Sequence, residues 1–160
     1  NERQVELLRG KVGMLNMFPV ANTTFAKLFN QILKLASEKS PIQTFDSKDL
    51  ERMLKQNGRT FIGSTVIKEP KDPTLGAQIL QNCLQRSPCS PPKGTKPKTG
   101  RLLLVVTEAM ASDPEVSKHL DAAISYVGGR TETLFSGVYI RNKLPGLIAI
   151  LSMSGLENEI

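Results

Sequence analysis

The run Leu102-Leu103-Leu104-Val105-Val106 narrows the folds open to this chain more than any other stretch of its sequence. It is too short for an ordinary helix and offers no polar face. Such a run suits a strand covered on both sides, the habit of strands in α/β sheets rather than of antiparallel sheets with one wet face. The residues that follow have helical period. Ser112 and Glu115 make a capping box, Val116, Leu120, Ala123, Ile124 and Val127 form the apolar stripe, and Gly128-Gly129 closes it. Residues 133–140 alternate as a strand, and 147–153 make a last one across a tight turn at 142–146.

Upstream, residues 1–16 read as a weak helix with Val5, Leu8 and Val12 on one side, closed near Gly13. Over 19–37, Ala21, Phe25, Leu28, Phe29, Ile32 and Ala36 repeat at helical spacing, and Leu33 and Leu35 widen the stripe nearly all round. This predicts a long, largely buried central helix, with Pro19 in its first turn and Pro41 beyond its end. A second helix over 46–56 buries Leu50, Met53 and Leu54 and stops at Asn57-Gly58. Residues 61–67 read as a strand with a close-approach glycine at Gly63. Asp72 then caps, and Pro73 opens, a helix carrying Leu75, Ile79, Leu80, Cys83 and Leu84. Residues 87–100, rich in Pro and Lys, form a loop. The order α, α, α, β, α, β, α, β, β contains two β-α-β steps, which imply right-handed parallel crossovers, and a final hairpin. The expected fold is therefore α/β (α+β): a four-stranded mixed sheet flanked by helices and preceded by a long central helix.

With 160 residues, 39% hydrophobic and 22% charged, the chain has the makings of one globular core. No apolar run is long enough to span a bilayer, no signal-peptide pattern opens the sequence, and the lack of an initiator Met reads as a fragment or a processed product. Two cysteines, Cys83 and Cys89, and one histidine, His119, make neither a disulfide framework nor a zinc site and suit a reducing, cytosolic-type compartment. His119 lies within a helix and reads as a surface or satisfied core residue rather than a base. The net charge of +6 is uneven, because Arg86, Lys93, Lys96, Lys98 and Arg101 crowd the Pro-rich stretch. That cluster either meets an acidic or phosphate-bearing partner or is a solvated loop. No Trp and only two Tyr leave no aromatic platform for single-stranded nucleic acid.

Between the first two long helices stands Thr44-Phe-Asp46-Ser-Lys-Asp49-Leu. Two carboxylates three residues apart at a helix N-terminus satisfy its orphan N–H groups and its dipole, so Asp46 and Asp49 read as caps unless their context says otherwise. The context is a series of landmarks in order: Phe18-Pro-Val-Ala-Asn22, then the acidic stretch, then Asp49-Leu-Glu-Arg-Met-Leu-Lys-Gln-Asn-Gly58-Arg-Thr-Phe-Ile-Gly63, then Gly100-Arg-Leu-Leu-Leu-Val-Val-Thr107, a capped helix, and a last strand ending Met153-Ser-Gly155-Leu-Glu157. This series resembles the C-terminal (activation) domain of the FtsZ/tubulin superfamily of filament-forming GTPases. Thr44 stands where the family's loop has asparagine, and the loop at 87–100 looks like an expansion.

The resemblance implies an N-terminal segment at 1–17, a central linker helix and turn at 18–43, and an FtsZ/tubulin-like C-terminal domain at 44–160. It implies that Asp46 and Asp49 are the catalytic acids, polarising the water that attacks the γ-phosphate in the GTP site of the neighbouring subunit. It places Asn22 against the guanine base, although an asparagine there also suits a helix cap. GTP, with Mg, is the implied cofactor of the parent protein, and no metal ligands are implied in this chain. Its implied partners are the N-terminal GTPase domain of its own parent and further copies, joined head to tail into cytoplasmic or stromal filaments for cell or organelle division or DNA segregation. No Gly-rich phosphate loop of the tubulin or the Walker type occurs here, so the chain alone is expected neither to bind nor to hydrolyse GTP. The competing reading is a stand-alone basic interaction module that uses 87–100 for nucleic acid or an anionic partner. A self-contained enzyme is disfavoured, since one histidine supports no Ser/His/Asp or Cys/His constellation.

Overall fold

The computed structural model describes residues 16, 17, 27, 30, 31, 34, 48, 58–85 and 97–156. Its elements are β1 (Asn16–Met17), β2 (Gly58–Ile67), α1 (Leu75–Gln85), β3 (Thr99–Val106), α2 (Glu108–Ser112), α3 (Pro114–Gly128), β4 (Thr133–Ile140) and β5 (Leu147–Leu156). The four long strands are those expected, and they form a mixed sheet in the order β1-β2-β5-β3-β4. The short β1 adds a parallel edge pairing, Asn16 with Gly58 and Met17 with Arg59, where the sequence suggested a helix running to residue 16.

β3 is buried at all eight of its residues, and on both faces, as its apolar run requires. On one face Leu102, Leu104 and Val106 join Ala149, Leu151 and Met153 of β5 under α1 and α3. On the other, Leu103 and Val105 lie with Ile150 and Tyr139, all at most 6% exposed. The helices present matching stripes, Leu75, Ile79 and Cys83 from α1 and Val116, Leu120, Ala123 and Val127 from α3. Gly63 is the close approach anticipated for β2: a Cβ there would lie 2.0 Å from the Cys83 carbonyl oxygen, so α1 rests directly on the strand. Gly76 plays the same part between helices, where a Cβ would come within 2.8 Å of the Tyr126 Cβ.

β3 and β4 pair in parallel across α3, as a β-α-β unit should. The final hairpin does not form. β5 pairs antiparallel with β3 on one side and with β2 on the other, so it separates the strands of the first β-α-β unit and never touches β4. The physical reason is burial. β5 is buried on both faces, and a hairpin partner of β4 would sit at the sheet's edge, whereas the central slot covers both faces and satisfies both rows of backbone groups. The connection spans the sheet end accordingly: Arg141 N–H donates to the Val106 carbonyl at 2.9 Å, and Gly146 is seated against the Ile67 backbone.

α2 was not anticipated, and it displaces the expected capping box. Thr107 caps α2 by accepting from Met110 N at 3.2 Å, and Ser112 ends that helix. Asp113 is the N-cap of α3, accepting from Glu115 N at 3.0 Å with Pro114 in the first turn. Of the central helix expected over 19–37, Lys27, Asn30, Gln31 and Lys34 are described, each helical and exposed. Their i, i+3, i+4, i+7 spacing is one polar stripe, and the apolar positions expected of this helix lie outside the described residues.

Candidate functional site

The sheet has two ends, and topology assigns each a different chemistry. The entry end is where β2, β3 and β4 begin and β5 finishes: Thr99 is level with Ser154 and Thr133, and Arg59 with Leu156. β2 opens there at Gly58. Asp46, Asp49 and Asn22 themselves lie outside the described residues, as do Arg86, Cys89, Lys93 and Lys96. Lys48, which stands between the two aspartates, is helical and exposed.

Arg101 occupies the entry end and is not part of a surface cluster. Two-residue alternation puts it on the same face as Leu103 and Val105, and it is only 2% exposed. Its Nη1 donates to Ser154 Oγ at 3.2 Å, and Ser154 Oγ donates in turn to the Thr99 carbonyl at 3.4 Å. The guanidinium sits 5.3 Å from the centroid of the Phe135 ring. Thr99, Ser152 and Ser154 are buried with it. This is an internal polar cluster, unavailable to a phosphate in solution. Of the basic residues read from the Pro-rich stretch, Lys98 is described on the surface, its carbonyl accepting from Thr133 N at 3.1 Å.

Also at the entry end, the 129–132 link joins α3 to β4. Arg130 donates from Nη1 to the Tyr126 carbonyl at 2.9 Å, and its guanidinium lies 3.5 Å above the Tyr126 ring. Both residues are exposed.

The opposite end holds the β2–α1 loop against α3. Lys71 Nζ is 2.7 Å from Asp113 Oδ2, the same carboxylate that caps α3. The hydrogen bond from Lys71 holds Asp113 below the usual carboxylate range, and Asp113 raises Lys71 in return. Asp72 is likewise held low, first by the Thr74 backbone N–H at 2.8 Å, then by the Thr74 hydroxyl at 2.7 Å, with Gln78 Nε2 adding a bond at 3.1 Å. These contacts fix a loop and two helix starts. His119 is half-buried on α3. Among the described residues no group of three His, Cys, Asp or Glu side chains could hold a metal ion, and no described helix is long and apolar enough to cross a membrane.

Phosphate cradles need backbone N–H groups opened toward the ligand by glycines. Here Gly63, Gly76, Gly100 and Gly146 each abut this chain's own atoms closely enough that a Cβ would clash. They are packing glycines.

Neither a family model nor a curated protein matches this sequence. Solved structures do. The GDP-form protofilament of TubZ from Bacillus thuringiensis serovar israelensis matches over 84% of this chain and 36% of that one, with TM-score 0.67 and 13% identity. The empty FtsZ dimer from M. jannaschii matches over 87% and 41%, with TM-score 0.58 and 16% identity. The GTPgS-bound protofilament of CetZ2 from Haloferax volcanii matches over 84% and 39%, with TM-score 0.59 and 13% identity. The chain therefore has the tubulin/FtsZ-type fold that its ordered landmarks resemble, and it spans little more than a third of the solved chains it matches.

Proposed function

We propose that this chain is the C-terminal half of a tubulin/FtsZ-like cytoskeletal GTPase, and that Asp46 and Asp49 complete the GTP site of the next subunit in a filament. The observation that carries the reading is the fold, shared with a TubZ protofilament, an FtsZ dimer and a CetZ2 protofilament. It is supported by the order of the sequence, in which the acidic stretch precedes β2 as in the series of landmarks the chain resembles. A carboxylate facing a neighbour's nucleotide would orient a water and accept its proton, and phosphoryl transfer asks the protein for little beyond positioning and charge. The GTP, with Mg, is held by the parent's other half, and the family resemblance implies that Asn22 contacts its base. A cytoplasmic or stromal polymer follows from the same reading.

The test is reconstitution. The chain alone, mixed with GTP and Mg, is expected to melt at an unchanged temperature, since a native-state ligand would raise it by mass action. Mixed with the upstream half of its parent, it is expected to restore GTP turnover and sedimenting polymer. A chain that binds GTP alone, or a parent with no GTP-binding half, contradicts the proposal.

A further inference from the structure

We draw no further inference here: the strongest candidate, the surface patch at the end of α3 where the Arg130 guanidinium stacks on the exposed Tyr126 ring, carries nothing because nothing in the structure shows what covers it.

Discussion

Replacing Gly63 by Ala tests how α1 is seated on the sheet. The added methyl would lie 2.0 Å from the carbonyl oxygen and 2.7 Å from the carbonyl carbon of Cys83, both backbone atoms that no rotamer change can move. Ordinary carbon–oxygen contact needs about 3.3 Å, so the second half of α1 must retreat by more than about 1 Å. That segment carries Ile79 and Cys83, which are 0% and 1% exposed, and the Cys83 thiol donates to the Ala149 carbonyl at 3.8 Å. Overpacking of this kind costs about 1–3 kcal/mol and more where backbone must move. We expect about 3 kcal/mol, a large share of the roughly 5–15 kcal/mol that holds a domain folded. At about 2–4 °C per kcal/mol for a domain of this size, the melting temperature should fall by about 6–12 °C. Urea unfolding of the isolated chain, followed by circular dichroism, measures it. Gly128→Ala is the internal control, since its Cβ would meet nothing closer than 3.5 Å at a helical position, and it should be neutral or slightly stabilising. A Gly63→Ala loss below about 1 kcal/mol would refute the seating of α1 on β2.

Three other outcomes follow from the same packing. Thr65→Val should stabilise the chain by about 1 kcal/mol in the same urea assay, because the Thr65 hydroxyl is buried without a hydrogen-bond partner and valine keeps the shape. Arg101→Met should be tolerated far worse than Lys98→Met, by about 3 kcal/mol or more, since removing a buried cation strands the groups that face it. The pH dependence has a definite sign: the folded-state pKa of Asp113 is depressed, so its contribution is whole above the unfolded value near 4 and is lost as pH falls through that region toward the folded pKa. Asp113→Asn, which still caps, should flatten the acid limb of a stability–pH curve, and an acid limb identical to wild type would contradict the Lys71–Asp113 assignment.

The fold was legible where a local pattern decides it. β3 follows from an unbroken apolar run, and the parallel crossover from it to β4 from the α3 stripe. The β4–β5 hairpin was misread because a short connection favours it locally, whereas the sheet order answers to burial on both faces of β5, a property of the whole sheet. Asp113-Pro114 outcompeted Ser112 as a cap because an acidic N-cap directly before a first-turn proline fits a helix start better than a serine one residue earlier. Arg101 was grouped with the lysines by nearness in sequence, yet its two-residue spacing from Leu103 and Val105 already placed it on a buried face. Arg130 carries no motif, and only the stack on Tyr126 distinguishes it from any arginine at a helix end. Asp46, Asp49 and Asn22 rest on the ordered resemblance, since they lie outside the described residues.

Phosphate release and pelleting, measured together on the parent protein carrying Asp46→Asn or Asp49→Asn, test the central claim most directly. Asparagine caps a helix about as well as aspartate, so folding should be spared in either variant. If these carboxylates position and polarise the attacking water across the subunit contact, filaments should still form while turnover falls on the order of a hundredfold or more, the scale of losing a positioned base. Wild-type turnover in both variants would return the two aspartates to the role of helix caps.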